Sequence, residues 1–79
     1  MAYHLQVCDS VYDLGSREIG ENASITAVDL AAIAENMDRA YEIQLYNGVV
    51  YELRVWDGEE CFWAAHFLCW SGKLNPIES

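Results

Sequence analysis

The chain has 79 residues, 53% of them hydrophobic and 13% aromatic, and its 13 acidic residues against 4 basic ones give a formal charge of −9. A domain of this size buries only about 60% of the surface its unfolded chain exposes, which predicts one small folded domain, residues 1–79, without a deep pocket. A field of that sign repels nucleic acid and anionic membranes and attracts basic partners, so direct DNA or RNA binding is excluded.

The opening stretch MAYHLQVCDS has no basic residue ahead of an apolar run. The longest apolar run, residues 61–70, is about half of what a membrane span needs. We therefore expect no secretory signal, no membrane association and a cytoplasmic location. Cys8, Cys61 and Cys69 are too few, and odd in number, for a secreted disulfide framework, so they are expected as packed thiols in a reducing compartment.

Residues 3–8 predict a short strand with Tyr3, Leu5 and Val7 on one side and His4, Gln6 and Cys8 on the other. Residues 13–23, with two glycines among polar and acidic residues, read as a mobile loop. Thr26 followed by Asp29 is the start of a capped helix. Leu30, Ile33, Ala34, Met37 and Tyr41 then lie at the spacing of one buried stripe, leaving Asp29, Glu35 and Asp38 on the wet side. The segment AYEIQLYNGVVYELRVW predicts a β-hairpin, and a three-residue loop at Tyr46-Asn47-Gly48 keeps its apolar residues on one face. That register sets Glu42 opposite Glu52, a pairing that costs stability unless a cation intervenes.

The stretch EECFWAAHFLCW, residues 59–70, is the least ordinary part of the chain. As a strand after a turn at Asp57-Gly58 it would be apolar on both faces, and a domain this small is not expected to supply two covers. As a helix it has Asp57 as cap, Glu59 and Glu60 in the first turn, and a stop at Ser71-Gly72 before Asn75-Pro76. The helix is the expectation for 59–71, and 73–79 is then a C-terminal tail. The predicted fold class is α+β: a strand, a helix, a β-hairpin and a C-terminal helix or strand around an antiparallel sheet of 3–4 strands.

No catalytic constellation emerges. Cys8, Cys61, His66 and Cys69 lack the cysteine-knuckle spacing of a zinc site, and a Cys69–His66 pair has no third residue to orient it. There is no phosphate-binding glycine loop. Neither a metal nor a cofactor is expected, and the chain is not expected to be an enzyme.

The remaining expectation is a protein that binds a basic partner. In one version Asp29, Glu35, Asp38, Glu42, Glu52, Asp57, Glu59 and Glu60 form a spaced track that imitates nucleic-acid phosphates. In the other a compact acidic patch with an aromatic anchor, Trp56 or Trp63, plugs one site. In size and acidity the chain resembles the small inhibitors of phages and mobile elements, anti-CRISPR and anti-restriction DNA-mimic proteins among them. That resemblance implies inhibition of a nucleic-acid-binding subunit of a CRISPR or restriction complex in the host cytoplasm. An immunity protein or antitoxin is the alternative, as is an acidic homo-oligomer, a homodimer included.

Overall fold

Residues Tyr3–Cys8 form strand β1 as expected, with Leu5 and Val7 fully buried on one side. The structure is a computed structural model, and it describes residues 2–21 and 26–77. The other elements are β2 (Asp13–Gly20), helix α1 (Ala27–Arg39), β3 (Val50–Asp57), β4 (Glu60–Trp70) and β5 (Lys73–Pro76). The five strands make a single antiparallel sheet in the order β2-β1-β3-β4-β5, and α1 packs on one of its faces. The fold class is therefore α+β as expected, with five strands in place of three or four.

The helix begins where its sequence requires. The Thr26 hydroxyl accepts from the Asp29 N–H at 3.2 Å, and the Asp29 carboxylate accepts from the Thr26 N–H at 3.4 Å, a capping box that satisfies two otherwise unpaired donors. Leu30, Ala31, Ala34 and Met37 are buried on the sheet, with Ile33 packed at the margin. Burial of Leu30 and of Met37 contributes about 1.5–3 kcal/mol each. Tyr41 departs from the expected stripe. The helix is capped at Ala40, and Tyr41 then takes a left-handed conformation (φ 62°) that turns its ring out to 95% exposure.

Four sequence expectations are corrected. The stretch 13–23 was expected as a loop, but Asp13–Gly20 is edge strand β2, paired with β1 and interrupted by two irregularities; residues 22 and 23 lie outside the described residues. No hairpin joins residues 41–46 to 49–56. Asn47-Gly48 does make a turn, closed by the Val49 N–H donating to Tyr46 O, yet β3 pairs instead with β1 and β4. The segment before that turn is held elsewhere, by Glu42 on Arg17 and by the Leu45 N–H on Asp38. Glu42 and Glu52 are thus not opposed.

Residues 59–71 are not a helix. Glu60–Trp70 is β4, joined to β3 by a two-residue turn in which Gly58 has φ 60°. Phe67 and Cys69 are buried and Trp63 and Ala65 partly buried toward α1, while Ala64, His66, Leu68 and Trp70 alternate with them on the open face. Aromatic residues fit a pleated surface well, and the period of two outweighs the helix-compatible termini. Ser71 (φ 54°) and Gly72 (φ 76°) are left-handed as their types suggest, but they form the tight turn into β5. The expected tail 73–79 is therefore strand over Lys73–Pro76.

The core joins Leu5, Val7, Tyr51, Leu53, Val55, Phe67, Cys69 and Leu74 of the sheet to the buried helix stripe and Ile43. Tyr51 spends its hydroxyl on the Tyr46 N–H, 2.7 Å away, which ties the turn to the core. Ile43 presses on β2 at Gly15, where an added Cβ would meet Ile43 Cγ2 at 2.9 Å. Because Ile43 is β-branched and buried, it has little room to yield. Gly15→Ala is expected to lower unfolding free energy by about 1–3 kcal/mol in urea titrations with an unchanged slope.

Candidate functional site

The carboxylates of the expected acidic track are mostly engaged by the fold itself. Asp29 caps the helix, Asp38 accepts from the Leu45 N–H at 3.2 Å, and Glu35 accepts from the Leu74 N–H at 2.8 Å, so that a helix side chain fastens edge strand β5. Glu42 pairs with Arg17. These four lie on the helix-covered side, whereas Glu52 lies on the open face, bonded to Arg54 and 3.1 Å from His66 Nε2. A single spaced track is not formed.

Other predicted residues do come together. Antiparallel registry places the end of β3, the start of β4, the start of β1 and the end of β2 at one end of the sheet. There the β3–β4 turn carries Asp57, Glu59 and Glu60, and Trp56 lies one residue before it on the open face, across from His4. Trp56 is fixed by its indole N–H, which donates to Gln6 Oε1 at 2.7 Å. Glu18, which pairs with His4, joins the same end; it was not singled out in the sequence because its segment read as a loop. Asp57 Oδ1 is buried and takes no hydrogen bond from the described residues.

Trp63 does not belong to that patch. It points toward the helix side, half-buried, its ring tilted against Phe67 at a centroid distance of 6.5 Å. Phe62, at the irregularity between β3 and β4, meets Tyr3 edge to face at 5.2 Å. Trp70, by contrast, is 61% exposed.

The four residues weighed as a metal site do not converge. His66 and Cys69 point to opposite faces of β4, and among the described residues no group of three His, Cys, Asp or Glu side chains is placed to hold a metal ion. A row across the open face runs from Cys8 through Glu52 to His66. The carboxylate stands between thiol and imidazole, so His66 is not positioned to take the Cys8 proton directly. Burial raises the Cys8 thiol above its ordinary pKa, against the opposing pull of Arg54, and burial likewise raises Cys69. Both remain protonated at neutral pH.

No helix of the described residues is long and apolar enough to cross a membrane. No family model, curated protein or solved structure matches the chain. The fold and the site define a small α+β protein whose sheet is covered on one face, open on the other, and acidic at the β3–β4 turn.

The thiols provide a direct test of this arrangement. Cys61 is exposed while Cys8 and Cys69 are buried with raised pKa values. At neutral pH an aromatic disulfide reagent should titrate one thiol quickly in the native protein and the other two only on unfolding. Cys61→Ser should abolish the fast phase. Two fast thiols in the wild type would contradict the placement of β1 or β4.

Proposed function

We propose that this protein is a non-catalytic inhibitor that docks its acidic β3–β4 turn on a basic, nucleic-acid-binding site of another protein in the cytoplasm. The observation that carries the reading is that Asp57, Glu59 and Glu60 of the β3–β4 turn, and Glu18 of β2, lie at the same end of the sheet as Trp56, with Trp56 and Glu18 on the open face and Asp57 and Glu60 on the helix side. Carboxylates concentrated at one end of the sheet, beside an indole on its open face, support plugging one cationic cleft, as an immunity protein does. It offers less to imitation of a phosphate track, because Asp29, Glu35, Asp38 and Glu42 are committed to the helix side and to internal bonds. The resemblance to phage and mobile-element inhibitors makes a defence-complex subunit of the anti-CRISPR or anti-restriction kind the partner class we favour, with a toxin nuclease second.

The physics of such docking is steering followed by anchoring. Carboxylates clustered on a turn draw a basic cleft from beyond contact range, within a Debye length of roughly 8 Å at physiological salt. Trp56, held by Gln6, offers a rigid apolar surface that loses little conformational freedom on binding. No reacting group is needed for this, and the separation of Cys8 from His66 by Glu52 supports a role without catalysis.

Affinity capture from bacterial lysate at low salt should retain basic nucleic-acid-binding proteins on the wild-type chain and release them near 1 M salt, where screening shortens to about 3 Å. Glu59→Lys combined with Glu60→Lys should weaken retention at least about tenfold, mainly through slower association. Trp56→Ala should weaken it through faster dissociation. Asp29→Asn should leave it unchanged, since Asp29 serves the helix cap. Equal retention by the turn variant, or loss with Asp29→Asn in a folded protein, would return the function to a distributed acidic track.

A further inference from the structure

Strand β4 is apolar on both sides and α1 covers only one of them. On the other, Val50 stands opposite Leu68, Ile77 lies beside His66 through its N–H bond to His66 O, and Trp70 stands opposite Lys73. Trp70 is 61% exposed, Ile77 45%, Val50 42% and Leu68 38%. Single exposed apolar side chains are ordinary, but a contiguous group of them on an uncovered sheet marks an interface. We infer that this half of the open face pairs with the same face of a second copy of the chain, forming a two-fold dimer in which each Trp70 seats in the other copy's shallow groove.

That groove has a volume of about 540 Å³ and is lined by Val50, Ala64, Ala65, His66 and Ile77. It begins a few residues before Trp70 along β4, so one two-fold axis brings indole to groove twice over. Charge selects a copy of the chain as the occupant. In a molecule of charge −9, the open face of β3, β4 and β5 presents a single carboxylate, Glu52, against Arg54 and Lys73. Two copies therefore meet there without the repulsion their acidic ends would impose. The complementarity is also local. Lys73 flanks Trp70, while the depression next to the receiving groove is bounded by Asp9, Glu52 and Arg54, the last paired with Glu52, so seating the indole carries the ammonium toward two carboxylates and one guanidinium.

Edges agree with this choice, and area sets its strength. Half of a five-strand face, with strands spaced about 4.8 Å apart and roughly 25 Å long, buries on the order of 600 Å² over the two copies, the size of a weak, concentration-dependent association. Pairing by strand edges is poorly served: β5 is four residues long, ends at Pro76 and gives its Leu74 N–H to Glu35, and β2 is broken by irregularities. The antiparallel arrangement also points the two acidic turns to opposite ends.

Dimerisation does not rest on the proposed inhibition and is tested apart from it. Sedimentation equilibrium of the full chain from about 1 to 500 μM should show a mass rising from 9.0 kDa toward twice that value. Trp70→Ser and, independently, Ile77→Lys should raise the dissociation constant at least about tenfold while far-ultraviolet circular dichroism stays that of the wild type. Glu59→Lys with Glu60→Lys should leave the dimer intact. A mass of 9.0 kDa throughout the range, or a dimer that neither folded variant weakens, would overturn the inference.

Discussion

One helix of 13 residues must cover a sheet of five strands, and almost everything else about the molecule follows from that shortage. The helix is too narrow to shield both faces and wide enough to seal one. Leu5, Val7, Leu53, Phe67 and Cys69 therefore meet Leu30, Ala34 and Met37 in a single layer of core. The rest of the helix side is closed by the strap from Tyr41 to Val49, where Ile43 rests on Gly15 and the Tyr51 hydroxyl takes the Tyr46 N–H. The opposite face keeps its polar residues in the middle and its apolar ones on β4 and beyond.

That shortage also explains which parts of the fold were legible in the sequence. Strand β1 and helix α1 were, because each carries its periodicity and, for the helix, its cap within a dozen residues. Strand β4 was not. A run apolar on both sides is ambiguous between a helix and a doubly covered strand, and the assumption that every apolar face is covered within the chain tipped the reading to helix. The exposed Trp70 and Leu68 show that one face is left uncovered. Residues 41–56 misled for a different reason. Asn47-Gly48 is a true turn, but the alternation ahead of it belongs to a strap pinned by Arg17 and Asp38, contacts distant in sequence that no local pattern encodes.

The acidic surplus has a similar double character. A carboxylate in an acidic protein looks from sequence like surface available to a partner, yet Asp29, Glu35 and Asp38 each accept a backbone N–H, from Thr26, Leu74 and Leu45 respectively. Asp9 does the same in the turn after β1, receiving the Val11 and Tyr12 N–H groups at 2.7 and 2.6 Å, and these bonds hold its carboxyl below its ordinary pKa. Its contribution to stability is therefore present above the unfolded carboxyl pKa and lost as pH falls through the lower folded value. The candidate site was legible only in part. Trp56, Asp57, Glu59 and Glu60 are adjacent in the chain and share one end of the sheet, while Glu18 reaches that end through β1, where it pairs with His4.

The two surfaces left over, the acidic turn and the apolar half of the open face, lie at opposite ends of β4, and this separation matters more than either alone. If the apolar patch adjoined the turn, self-association would force the carboxylates together and Coulomb repulsion would oppose it. Because Trp70 ends β4 and Glu60 begins it, the antiparallel dimer proposed above would bury the indoles centrally and leave both turns projecting. Each turn would then meet solvent in the same state as in the monomer, with the two acidic turns facing away from each other. A partner with two cationic clefts would then bind by avidity, gaining from the fixed spacing of the plugs without any new contact.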